Sequence, residues 1–111
     1  MYKVLLVDDE YMITEGLKRL IPFEKWDMEV VATANHADDA LDYVREHPVD
    51  VVISDVNMPD KTGLEMIGEM KELLPDAYYI LLSGYQEFDY VKKAMNLNVV
   101  DYLVKPVDKV E

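Results

Sequence analysis

The sequence contains no cysteine, which excludes disulfide staples and thiolate metal sites and fits a reducing cytosol. It also lacks any apolar run near the roughly 20 residues of a membrane span. Its first apolar stretch, in "MYKVLLVDDE", is short and bounded by charge, and reads as a strand rather than a signal peptide. Basic residues are scarce, with 11 Lys and Arg against 23 Asp and Glu and a formal charge of -12. Such a field repels phosphate polyanions, so direct binding of DNA or RNA is disfavoured, whereas a divalent cation is compatible with it. Internal repeats, low-complexity tracts and linkers are missing too, and residues 1–111 read as one domain. Half of the chain is hydrophobic, enough for a core without covalent help.

What is present alternates between two periods. "KVLLV" (3–7), "EVVATA" (29–34), "VDVVIS" (49–54), "YYILL" (78–82) and "VVDYLV" (99–104) are β-branched or apolar runs of strand length. Between them lie four stripes at helical spacing. These are Met12, Ile13, Leu17, Leu20 and Ile21; Ala37, Ala40, Leu41 and Val44; Leu64, Ile67, Met70, Leu73 and Leu74; and Phe88, Val91 and Met95. Asn35 with Asp38 reads as a helix cap, and Pro48 and Pro75 as residues following helix ends. The order βαβαβαβαβ implies a doubly wound α/β fold with a parallel sheet and helices on both faces. Strands 1, 3 and 4 are apolar throughout, as central strands should be. The chain then reads "KPVDKVE" and stops, so a last helix is expected to be missing from a longer original.

In such a sheet ligands bind beyond the carboxyl ends of the strands. Strand 1 ends in Asp8-Asp9, strand 3 in Asp55, strand 4 in Ser83-Gly84 and strand 5 in Lys105-Pro106. Each feature alone is an ordinary turn or loop feature. Together they bring three carboxylates, a hydroxyl and an ammonium to one edge. Clustered carboxylates repel unless they share a cation, and Mg²⁺ prefers oxygen ligands while keeping positions open. A carboxylate beside that ion can attack a phosphoryl group and form an acyl phosphate. The ammonium and hydroxyl can then stabilise the transferred oxygens.

The stretches "VLLVDDE" (4–10), "VISDVNMPDKTG" (52–63), "LLSGYQEFDY" (81–90) and "DYLVKPV" (101–107) resemble the receiver domain of bacterial two-component response regulators. With "IPFEKWDMEVV", they are most similar to receivers that precede AraC-type DNA-binding domains. The resemblance implies a flavodoxin-like five-stranded sheet in the order 2-1-3-4-5. It implies that Asp55 accepts a phosphoryl group from a sensor histidine kinase, with Mg²⁺ held by Asp9, Asp55 and the Asn57 backbone carbonyl and with Asp8 acting through water. Lys105 would pair with the phosphoryl oxygen beside Pro106. Ser83 and Tyr102 would form the switch, and Asn57, Met58, Pro59, Gly84 and Tyr85 would border the site. DNA would be reached only through a separate output domain, with possible homodimerisation on activation, in a cytoplasmic protein without membrane contact.

Three readings of function stand at this stage. The first is a phospho-accepting switch that modifies itself and turns over no metabolite. The second, a Mg²⁺-dependent phosphohydrolase with an aspartyl-phosphate intermediate, expects Asp-x-Asp at one strand end and a capping insertion. The chain has Asp55-Val56-Asn57 and no insertion. The third is a receiver-like module that binds partners without phosphorylation, against which the intact set of Asp8, Asp9, Asp55, Ser83 and Lys105 argues. His36 and His47 are expected to be ligands of nothing, and Trp26 to cover the junction of the first helix and second strand.

Overall fold

The computed structural model describes residues 1–55, 61–83 and 101–104. Five parallel strands, β1 (Tyr2–Val7), β2 (Met28–Ala34), β3 (Val51–Asp55), β4 (Tyr78–Ser83) and β5 (Asp101–Val104), form one sheet in the order 2-1-3-4-5. Helices α1 (Tyr11–Leu20), α2 (Ala37–Glu46) and α3 (Gly63–Leu73) cross between them. The stripe of Phe88, Val91 and Met95 lies outside the described residues. Val49 and Asp50, expected inside the third strand, precede it.

Strand periodicity sorts the core into two layers. On one face Leu5, Val7, Val52, Tyr79 and Leu81 pack with Ala37, Ala40, Leu41 and Val44 of α2 and Met66, Ile67 and Met70 of α3. On the other, Val4, Leu6, Val51, Ile53 and Leu82 pack with Leu17 of α1 and with Phe23. Every residue of β3 is buried, because helices cover both faces of the strands that lie inside the sheet.

β3 is anchored at its amino end by Asp50. The Asp50 N–H donates to the Lys3 carbonyl (2.8 Å), and the Asp50 carbonyl accepts from the Tyr78 N–H (2.9 Å). The Asp50 carboxylate also accepts from the Lys3 N–H at 2.7 Å. One residue thus ties β3 to both of its neighbours.

Helix ends depart from expectation in two places. Asn35 does not cap α2; the N-cap is His36, in extended backbone and without a side-chain cap bond. Asp38 and Asp39 in the first turn supply the favourable charge at that terminus instead. Conversely, Thr62 and Glu65 form a full capping box on α3, a pairing legible in the Thr-x-x-Glu spacing. Pro48 and Pro75 do follow helix ends, one residue after the C-caps His47 and Leu74.

The α1 stripe is narrower than the sequence implies. Leu17 is buried, with Ile13 and Ile21 partly so, but Met12 and Leu20 are exposed. At 3.6 residues per turn Met12 lies about 140° around the helix from Leu17, and Leu20 sits in the last turn. The buried Thr14 takes the place beside Leu17, its hydroxyl donating to the Tyr11 carbonyl at 2.9 Å. Trp26 covers no junction: it ends a short 3-10 turn, Phe23–Trp26, and is 57 % exposed. Asp27 then turns the chain into β2 through left-handed backbone (φ 59), which Asp tolerates better than most residues.

Two expected outcomes follow from this packing. A Cβ at Gly16 or Gly68 would meet nothing within 4 Å, so Gly16→Ala and Gly68→Ala should each stabilise the fold by about 1 kcal/mol in urea titration. Tyr79 is fully buried, and its hydroxyl donates to the Leu74 carbonyl at 2.8 Å. Burial pushes its phenol up to about 12. The folded state therefore disfavours phenolate: this contribution is complete below pH 10 and is lost as pH climbs from 10 to 12. Tyr79→Phe should cost about 1 kcal/mol at neutral pH. It should also remove an alkaline loss on the order of 2 kcal/mol, read as a flatter midpoint between pH 10 and 12.

Candidate functional site

The acids at the sheet's carboxyl edge come together. β1 runs apolar to Val7 and then delivers Asp8, whose N–H donates to the Ala34 carbonyl at the end of β2 (3.0 Å). One Asp8 carboxylate oxygen accepts from the Glu10 N–H at 2.9 Å, which fixes the turn into α1. Asp55 is the last residue of β3 and pairs with Leu82 of β4. The preceding Ser54 hydroxyl, also buried, donates to the Asp55 carbonyl at 2.9 Å. Carboxylate oxygens of Asp8, Asp9 and Asp55 all lie within 4.8 Å of one another, Asp8 and Asp55 being buried and Asp9 exposed.

This donor set suits a hard divalent cation. Two oxygens on one Mg²⁺, each about 2.1 Å from the ion, lie at most about 4.2 Å apart. The observed spacing therefore needs only a small contraction, or one water-mediated ligand. Metal-free, three carboxylates at this range repel one another, and a cation relieves that repulsion. One exposed member leaves a side of the cluster open to solvent and to a reactant.

The backbone also fixes where Ser83 and Tyr102 stand in the sheet. Ser83 ends β4 and pairs with Val104 of β5, while Tyr102 pairs with Leu81. Ser83 is thus one residue beyond the partner of Asp55, at the same edge of the sheet. Asn57, Met58, Pro59, Gly84, Tyr85, Lys105 and Pro106 lie outside the described residues. His36 and His47 flank α2, and the His47 ring rests on Tyr43 with centroids 4.7 Å apart. The spacing of Lys61, Thr62, Glu65 and Glu69, not singled out in the sequence, gathers charge where the chain enters α3. Among the described residues, no helix is long and apolar enough to cross a membrane.

Residues 4–111 match the family model of the response regulator receiver domain. The chain is 42 % identical over 108 residues to an uncharacterized response regulatory protein of Staphylococcus epidermidis, covering 97 % of this chain and 42 % of that protein. It is 39 % identical, with the same coverage, to the transcriptional regulatory protein HptR of Staphylococcus aureus. Among solved structures, the receiver domain of AraT, a response regulator from Geobacillus stearothermophilus, superposes with a TM-score of 0.91 at 42 % identity. That match covers 96 % of this chain and 83 % of that one. A two-component transcriptional regulator AraC from Clostridium phytofermentans gives a TM-score of 0.89 at 30 % identity, covering 97 % and 84 %. The chain spans less than half the length of the curated relatives named here. Matched along nearly its whole length and carrying the acidic edge, this chain belongs to the response regulator receiver domain family, the signalling switch of two-component systems.

Proposed function

We propose that the switch works by phosphorylation of Asp55 by a sensor histidine kinase. The observation that supports it is the gathering of Asp8, Asp9 and Asp55 within 4.8 Å at the end of a fully buried strand. In this reading Asp9, Asp55 and the Asn57 carbonyl hold Mg²⁺, with Asp8 acting through water. The bound ion supplies positive charge against the acceptor carboxylate and the transferred oxygens. An Asp55 oxygen forms the new bond to phosphorus as the bond from phosphorus to the kinase imidazole breaks, the electron pair leaving with the nitrogen. Lys105 and Ser83 contact phosphoryl oxygens, and Asn57 and Tyr85 border the route of hydrolytic water.

The phosphoryl group brings charge and strong acceptors, so a nearby hydroxyl and ammonium gain bonds only in that state. Ser83 drawn inward leaves space for Tyr102, which gives the β4–β5 edge two arrangements. Relatives named as transcriptional regulators support an output domain that binds DNA, and the AraC name of one neighbour favours that type; homodimerisation on activation and a cytoplasmic location belong to the same proposal. The wild-type protein with an acyl-phosphate donor and Mg²⁺ should gain the mass of one phosphoryl group. With beryllofluoride and Mg²⁺ it should give a bound fluorine NMR signal. Failure of both overturns the reading.

A further inference from the structure

At the amino edge of the sheet, away from the acids, the last turn of α1, the 3-10 turn and the start of β2 border an open groove of about 590 Å³. That volume suits a short segment or a small molecule. The floor is apolar: Phe23 with Ile21, Met28 and Val30, all from the core layer under α1. The rim is basic. Lys18 and Arg19 close α1 and Lys25 stands in the 3-10 turn, so three of the chain's 11 basic residues meet at one groove of a chain with net charge -12. Lys18 is bonded to Glu15 at 3.1 Å, but among the described residues Arg19 and Lys25 form no ion pair. Two acids also line the groove, Glu24 and Glu29. Glu29 lies between Met28 and Val30 on β2, so strand alternation turns its carboxylate to the opposite face of the sheet.

The groove runs beside an open backbone edge. β2 is the outermost strand and pairs only with β1, so its far side offers N–H and C=O groups to a further strand. Its register slips at Val31, since Val30 pairs with Val4 and Ala32 with Leu5. That bulge sets Met28–Val30, the stretch beside the groove, apart from the rest of the edge. A strand laid along Met28–Val30 drops alternate side chains on the face that holds the groove.

We propose that this groove and edge dock an extended acidic segment of a partner protein. The segment pairs with the outer side of Met28–Val30, sets an apolar side chain on the floor and brings carboxylates to Arg19 and Lys25. Charge decides the occupant. A second copy of the chain would bring -12 against -12, whereas a short acidic segment meets mainly the local cations, because distant charges are screened. A merely solvated basic face needs neither the apolar floor nor the open edge.

The probe is an acetylated, amidated heptapeptide, Thr-Glu-Thr-Leu-Thr-Glu-Thr, whose Glu and Leu side chains share one face of a strand. Titrated into the ¹⁵N-labelled protein, it should give saturable amide shifts confined to residues 18–30 and including Met28–Val30. The peptide with Lys in place of Glu should bind on the order of tenfold more weakly, as exposed pairs change from attraction to repulsion. Arg19→Glu combined with Lys25→Glu alters two exposed side chains; it should weaken the Glu peptide by a similar factor and strengthen the Lys peptide. Shifts that do not saturate, equal binding by the two peptides, or an unaltered response in the folded double variant overturn the proposal. So do peptide-free shifts of the same amides that grow with protein concentration, which give the surface to a second copy.

Discussion

Asp55→Asn is expected to take up no phosphoryl group from an acyl-phosphate donor in Mg²⁺, while folding at least as well as the wild type. The amide has the carboxylate's shape but is a poor nucleophile, and Asp8, the other buried carboxylate of the cluster, is already engaged by the Glu10 N–H. Uptake of phosphate by the variant, located by peptide mass analysis, would move the acceptor elsewhere. The stability half of the result has its own logic. At an effective dielectric constant near 20, two charges at the spacing of this cluster cost about 3 kcal/mol. Hydrogen bonds such as Glu10 N–H to Asp8 offset part of that. Metal-free Asp55→Asn should therefore exceed wild type by about 1–2 kcal/mol, a cost natural for a site shaped by function. Adding Mg²⁺ should narrow or close the gap, because the wild type binds the ion more tightly and gains more from it. A metal-free variant clearly less stable than wild type would contradict this account of the cluster.

Leu6→Ala should lower stability by about 3–5 kcal/mol, a large part of the 5–15 kcal/mol typical of a domain. Leu6 is fully buried in β1, which lies between β2 and β3, and its cluster includes Leu17 of α1, Phe23, Ile53 and Leu82. That face is covered by α1 and the 3-10 turn among the described elements, so little can close over the gap. The urea midpoint should fall by roughly 2 M. Met12→Ala, on the same helix but 78 % exposed, should stay within about 0.5 kcal/mol. A similar loss from both variants would mean that α1 packs differently from the structure described.

These two sites were the parts most legible in the sequence, for related reasons. Strands covered on both faces must be apolar at every position, so β1, β3 and β4 announced themselves as central. The acids that follow them then had to stand at one edge. The helices were less legible where packing, not period, decided. Met12 and Leu20 belong to an apolar pattern that α1 buries only along Leu17, Thr14 and Ile13. Asn35 has the chemistry of a cap, yet the backbone begins α2 one residue later, after His36. The Thr62–Glu65 box was plain in its spacing but sat next to a motif that drew attention to Asp55 and Pro59. Lys61 shows its meaning only when α2 and α3 are placed side by side, because its partners are 23 residues before and eight residues after it in the chain.

Asp50 bears on Asp55, the proposed acceptor, from the opposite end of the sheet. In most strands the alternation of greasy and wet side chains defines alignment, since a slip by one residue turns the wrong set to water. β3 has no such signal: all five of its residues are buried, and a shifted copy would bury about as well. Alignment falls instead to Asp50, which fastens to Lys3 on one side and Tyr78 on the other. Counting from that fastening, the fifth residue is Asp55; a slip of one would present the hydroxyl of Ser54 or an apolar valine in its place. The identity of the group offered to the acidic edge is in this sense a matter of counting, and the count starts some five residues away from Asp55, at the other rim of the sheet.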